Sequence, residues 1–274
     1  MKSFSFIHTA DLHLDSPFSG LWISDYGFKN KSQESESRRQ IFFCGSGFRA
    51  AISRFERFQR CEGMTQILSG ICPEGIMVAT DSAATSFDED GKENHFTVDK
   101  LFSIGSHAFI VSGGKGISVE LSIRFKRYAE ERKLLGIEEI KSAVGPYISD
   151  QYREVLHDGS GTTVINGELD RIYFVVGGYS FKSQEQPYQL ALWGSDAGKL
   201  PLEKIQIGDS VAVPRTLAGE TRLFRLCQAD SQLMDLFEFA KEFLQKQAET
   251  NPQIGPPFRF GMVTPAGFKR LEHI

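Results

Sequence analysis

Thr65, Asp81, Lys100 and the pair Gly113-Gly114 are the residues of this chain whose types and order can do chemistry together. A threonine hydroxyl is a poor nucleophile at neutral pH and needs a base. A free α-amino group on the same residue, with a pKa of about 7.7–8.0, supplies one. A lysine ammonium beside the hydroxyl lowers its pKa, and a buried carboxylate keeps that lysine charged and oriented. Backbone N–H groups around Gly113 and Gly114 suit a developing oxyanion, because glycine permits the close approach a tetrahedral intermediate requires. Taken singly, Asp81, Ser82 and Thr85 read as strand-end and turn residues, Lys100 as a solvated charge and the glycine pair as a helix-entry turn. It is the ordered set that reads as a site.

Such a set works only if the chain folds it together. Asp81 follows Thr65 by sixteen positions with the Cys72-Pro73-Glu74-Gly75 turn between them, so two antiparallel strands would bring the pair close, with Lys100 between them. Strand-like runs at 65–71, 75–80, 100–104 and 107–112 precede a helical stretch from Gly116 to Arg132, where Ile117, Leu121, Phe125 and Tyr128 recur at helical spacing. A second helix follows Gly136, with Ile137, Ile140, Val144, Ile148, Tyr152 and Leu156 on one face, a kink or break expected at Pro146, and a stop at Asp158-Gly159-Ser160-Gly161. Arg171 to Gly178, Tyr188 to Trp193 and Leu202 to Ile207 read as strands. Val211 to Arg225 and Ser231 to Ala248 read as helices, and Phe258 to Thr264 with Phe268 to Leu271 as a closing hairpin. Leu233, Leu236, Phe237, Ala240 and Leu244 form an apolar face that belongs to a core.

From Thr65 onward the motifs Gly75-Ile-Met-Val-Ala-Thr-Asp81-Ser82-x-x-Thr85, Lys100-Leu-Phe-Ser-Ile-Gly105 and Ile110-Val-Ser112-Gly113-Gly114 resemble the proteasome family, the Ntn-hydrolase group that includes proteasome β subunits and the bacterial HslV peptidase. The resemblance implies an α+β fold, a four-layer αββα sandwich over residues 64–274, and the order of elements read above agrees with it. It implies Thr65, Asp81, Lys100 and Gly114 as catalytic residues, with Gly114 the oxyanion donor, and Thr85 and Gly113 as substrate-binding residues. Gln206-Ile207-Gly208-Asp209-Ser210 stands where active relatives read Gly-Ser-Gly, which makes Asp209 and Ser210 supporting residues near the nucleophile's amine. Asn251-Pro252-Gln253-Ile254-Gly255 replaces Asp-x-x-Ser-Gly, so Asn251 and Ile254 stand for the family's aspartate and serine. Ala83 replaces an arginine-like residue and changes the pocket wall. The resemblance further implies a peptide or unfolded-protein substrate, a homo-oligomeric ring, an unfoldase partner, and no metal or organic cofactor.

Residues 1–63 read as an N-terminal extension, fused fragment or propeptide. Their opening, Phe4-Ser-Phe-Ile-His8-Thr-Ala-Asp11-Leu-His13-Leu-Asp15, resembles the start of the calcineurin-like metallophosphoesterases of DNA repair, in which Asp-x-His begins a two-metal site. The remaining ligand motifs of that class are missing: Gly208-Asp209-Ser210 lacks a second aspartate and Asn94-His95 has no flanking glycine or acid. His8 and His13 then read as ordinary residues. Met64, followed by a small threonine, is the expected biological start, since removal of the methionine would expose Thr65.

With 41% hydrophobic residues over 274 positions the chain can bury a full core. A net charge of −4 gives no electrostatic support to nucleic-acid binding. No apolar run reaches membrane-span length and no secretory signal is present, so the expectation is a cytoplasmic protein that binds neither nucleic acid nor membrane. Cys44, Cys61, Cys72 and Cys227 lack metal or disulfide spacing and read as reduced thiols. Three functions follow in order: a threonine-type peptidase, a catalytically silent assembly subunit of the same family, and a truncated phosphoesterase.

Overall fold

A computed structural model describes residues 65–87, 93–157, 171–196, 198–229 and 231–271. The expectations for residues 1–63, for His8 and His13, for Cys44 and Cys61, and for a stop at 158–161 lie outside these. The described part is mixed α+β, with four helices and only antiparallel strand pairs.

The strands in chain order are β1 Ile67–Cys72, β2 Gly75–Thr80, β3 Ala83–Phe87, β4 Glu93–Thr97, β5 Leu101–Ile104, β6 Ala108–Gly114, β7 Ile172–Tyr179, β8 Tyr188–Ser195, β9 Glu203–Ile205, β10 Ser210–Val213, β11 Arg259–Thr264 and β12 Gly267–Leu271. The helices are α1 Ile117–Glu131, α2 Ile137–His157, α3 Leu217–Gln228 and α4 Leu233–Thr250. One five-stranded sheet, sheet I, runs β10-β1-β2-β11-β12, and a second, sheet II, runs β5-β6-β7-β8-β9. β3 and β4 pair with each other alone.

The central strands of both sheets are apolar on both faces, and side-chain alternation explains why. In β2, Met77 and Ala79 pack with Leu236, Phe237, Ala240 and Leu244 of α4, while Ile76 and Val78 face the other way. In β7, Ile172, Phe174 and Val176 pack with Leu121 and Phe125 of α1 and Ile140, Val144 and Ile148 of α2. Tyr173 and Val175 turn instead to the cluster that holds Ile67, Ile76 and Val78 of sheet I with Leu101, Phe109 and Val111 of sheet II. Two of the clusters thus join a sheet to helices, and the third holds residues of both sheets.

Two expectations about elements are corrected. Pro146 does not break the helix: it lies inside a single element, Ile137–His157. Proline removes one helical hydrogen bond, but Ile140, Val144, Ile148 and Tyr152 on both sides of it are buried in one core, and packing carries the helix through. The segment from Val211 is not helical at its start: Ser210–Val213 is a strand and the helix begins at Leu217. Val211 and Val213 face the opposite sheet while Ala212 faces the helices, a two-residue period that four residues are too few to announce in sequence. The β3–β4 hairpin has no counterpart among the expected strands, and β9 is shorter than the run 202–207.

Candidate active site

The site forms where strands of both sheets end. β1 and β2 pair with Ile67 opposite Thr80, so Thr65 and Gln66, just before β1, lie beside Asp81, just after β2. Gln66 N–H donates to Asp81 Oδ1 at 2.9 Å, and Asp81 N–H donates to Gln66 O at 3.3 Å. Ala83 N–H donates to Asp81 Oδ2 at 3.0 Å. The backbone thus fixes the carboxylate through both oxygens.

Lys100 reaches this carboxylate from sheet II, where it precedes β5. Its Nζ donates to Asp81 Oδ2 at 3.0 Å, to Thr65 Oγ1 at 2.8 Å and to Ala83 O at 2.6 Å. Three acceptors around one nitrogen match the three protons of an ammonium, which has no lone pair to offer. Thr65, Asp81 and Lys100 are 7%, 0% and 3% exposed, so the ion pair is desolvated. Burial pushes Lys100 below the usual lysine range, opposed by the charge of Asp81. Burial likewise pushes the Asp81 carboxyl up, opposed by Lys100 and by the amides of Gln66 and Ala83.

Gly113, the first of the glycine pair, lies against the same hydroxyl-bearing residue. A Cβ on Gly113 would lie 3.1 Å from Ile67 Cδ1 and 3.4 Å from Thr65 Cβ. Gly114 has φ +93°, and a Cβ there would fall 1.9 Å from Arg171 O. No other residue fits that position. Ser112 N–H donates to Lys100 O at 3.2 Å and Lys115 N–H to Arg171 O at 3.0 Å. Because N–H directions alternate along a strand, Gly114 N–H points to the side of β6 on which Lys100 lies.

Thr65, Asp81, Lys100, Gly113 and Gly114 are therefore brought together as the sequence suggests. Asp209 and Ser210 are not. They sit at the far end of β1, since Ser210 pairs with Gly70 and Ile71 N–H donates to Asp209 O at 2.8 Å. Five residues of extended strand separate Gly70 from Thr65, about 17 Å, and the exposed Asp209 carboxylate accepts instead from Gln228 Nε2 at 3.2 Å. The β1–β10 register sets Val213 opposite Ile67, so Val213, not Asp209-Ser210, comes level with the start of β1. Gln66 Nε2 donates to Val213 O at 3.2 Å, and Arg215 is held by Glu220 at 2.7 Å.

Asn251 ends α4, and its side chain accepts from Gln253 N–H at 3.0 Å. The segment it opens does border the site: Ser82 N–H donates to Gly255 O at 3.2 Å. Ile254 is buried at 3% exposure. Thr85 lies on the β3–β4 hairpin, its hydroxyl 3.2 Å from His95 Nδ1 across the two strands. Cys72 and Cys227 are free and buried.

Sequence reasoning missed what Gln66, Ala83 and Gly255 do at the site. They act through backbone atoms, which leave no mark in residue type. Among the described residues no group of three or more His, Cys, Asp or Glu is arranged to hold a metal ion, and no helix is long and apolar enough to cross a membrane. No protein-family model matches the chain, and no curated protein matches it.

Proposed function

We propose that the chain is a threonine-type peptidase of the Ntn-hydrolase kind, built as a four-layer αββα sandwich and related to the proteasome group. The observation that carries this reading is Lys100 Nζ, held 2.8 Å from Thr65 Oγ1 and 3.0 Å from Asp81 Oδ2 in a desolvated setting. Two sheets stacked face to face, each backed by a helix pair, support the architecture.

In the proposed reaction Thr65 Oγ1 attacks a peptide carbonyl carbon, and the hydroxyl proton passes to the α-amine of the same residue. The Lys100 ammonium stabilises the alkoxide as it forms. Gly114 N–H stabilises the carbonyl oxygen in the tetrahedral intermediate. Collapse breaks the C–N bond; the proton held by the α-amine goes to the leaving amine, and an ester on Thr65 remains. Water activated by the freed amine then hydrolyses the ester. Peptides or unfolded chains are the substrate, with a ring of identical subunits fed by an unfoldase as the assembly.

An amide nitrogen is not a base, so this reading requires the bond between Met64 and Thr65 to be absent from the active form, through initiation at Met64 or through processing. The test is fluorogenic-peptide turnover by protein beginning at Thr65, compared with Thr65→Ala, together with the mass of the N-terminal peptide of the native protein. Equal turnover in both forms, or a native chain retaining Met64, ends the peptidase reading. A silent assembly subunit is the second reading, favoured by Asp209, whose side chain is engaged at the end of β1 remote from Thr65.

A further inference from the structure

We propose that Asp99, clamped by Arg259 and Arg270, is a positioning residue that sets where Lys100 presents its ammonium; the catalytic part of this proposal rests on the peptidase reading above. Asp99 Oδ1 accepts from Arg259 Nε at 2.9 Å and from Arg270 NH2 at 2.8 Å. The two arginines come from β11 and β12 of sheet I, whereas Asp99 stands on the segment that leads into β5 of sheet II.

The clamp closes a loop around the site. Arg259 pairs in register with Thr80, the residue before Asp81, and Asp99 is the residue before Lys100. Ion pairs of opposite polarity thus link adjacent residues of one segment, Asp99 and Lys100, to sheet I. Inside, the cation of Lys100 reaches across to the anion of Asp81. Outside, the anion of Asp99 is held by cations of the sheet that carries Asp81. Besides the clamp, the stretch 98–100 is held by Val98 N–H to Ser82 O at 2.9 Å, by Ser112 N–H to Lys100 O at 3.2 Å and by the Lys100 ammonium itself. None of these bonds is made by residue 99, whose carboxylate between two guanidiniums ties that position to sheet I, and a misplacement of about 1 Å can cost about 100-fold in rate.

The outer pairs are partly exposed, with side chains 24%, 38% and 43% exposed for Arg259, Arg270 and Asp99. Exposed pairs contribute little to global stability, which makes a positioning role separable from a structural one.

The test uses Asp99→Ala, Asp99→Glu and Arg270→Ala in the full chain and in protein beginning at Thr65. In the full chain, proton exchange at Lys100 Nζ is followed by nitrogen-15 NMR, the resonance being assigned through Lys100→Arg. We expect exchange at least tenfold faster in Asp99→Ala and Arg270→Ala, near wild type in Asp99→Glu, with melting temperature little changed. In protein beginning at Thr65, kcat on a fluorogenic peptide falls about tenfold in Asp99→Ala at unchanged KM, and Asp99→Glu restores most of it. Unchanged Lys100 exchange in Asp99→Ala overturns the proposal whatever the activity, as does a loss of kcat that merely tracks a lower melting temperature. If exchange quickens while no form, wild type included, cleaves peptide, the clamp stands as the device that positions Lys100 and it is the peptidase reading that fails.

Discussion

Lys100 and Thr65 belong to different sheets, yet Nζ of one stands 2.8 Å from Oγ1 of the other. This single contact joins the ammonium to the hydroxyl it would activate, and both groups are shielded from water. Removing the ammonium should therefore act on rate and on stability at once. For Lys100→Ala in protein beginning at Thr65 we expect kcat to fall about 10²- to 10³-fold, the scale of losing one preorganised electrostatic contact. The Asp81 carboxylate, fully buried, is left without its cation, at a cost of about 3–5 kcal/mol. Urea denaturation of the variant checks the second figure; a loss under 1 kcal/mol would mean that Asp81 is neutral in the folded protein.

The pH profile follows from the same two groups. Turnover should rise as the Thr65 amine loses its proton, near or below about 7.7–8.0 because the Lys100 charge lies close by. It should fall again when Lys100 deprotonates. Burial lowers that event from the ordinary lysine value, so the alkaline limb descends before pH 10.5. A profile still rising beyond that point would remove the ammonium from the mechanism.

Gly114 admits no side chain. Its φ of +93° and the carbonyl of Arg171, 1.9 Å from where a Cβ would lie, together predict that Gly114→Ala shifts the β6–β7 edge and destabilises the fold by about 2 kcal/mol or more. At Gly113, where the nearest atoms would be 3.1 and 3.4 Å away, alanine should fold and mainly raise KM. Thermal melts with peptide kinetics on both variants separate the two effects.

Cys227 gives a stability prediction independent of catalysis. Burial pushes its thiol from 9.0 to about 12, so the folded state keeps a proton that the unfolded chain releases above pH 9. That stability is complete below pH 9 and is lost as pH rises toward 12, on the order of 4 kcal/mol across the window. Cys227→Ala should flatten the alkaline decline in melting temperature between those limits. An unchanged slope would place the decline on other groups.

Asp209 and Ser210 lie at the end of β1 remote from Thr65. Asp209→Ala should leave peptide turnover within about twofold and stability within about 0.5 kcal/mol. A large loss of kcat in this variant would restore the sequence-based placement.

The legibility of the site divides along the kind of signal each residue leaves. Thr65, Asp81 and Lys100 stand at strand ends, and a turn between two apolar runs is enough to infer that Thr65 and Asp81 meet. The helical faces of α1, α2 and α4 were readable because their apolar residues repeat over several turns, and Leu236, Phe237, Ala240 and Leu244 all lie in the core. β10 spans only Ser210–Val213, so its register against β1 was invisible, and with it the displacement of Asp209. Ala83 and Gly255 contribute carbonyl oxygens, which any residue carries. The Asp99 clamp depends on Arg259 and Arg270, more than 150 residues away in the chain, and no local pattern joins them.

On the peptidase reading, the meeting of the two sheets also decides when the proposed chemistry can exist. Thr65 and Asp81 flank strands of sheet I, Lys100 and the glycine pair belong to the sheet II side, so neither half would carry a working centre alone. A nascent or partly unfolded chain would be unable to cut its neighbours, and cleavage competence would arise only with completed tertiary structure. In a urea titration, turnover and near-ultraviolet dichroism should then vanish at the same concentration; activity outlasting the dichroism would show a centre that survives separation of the sheets.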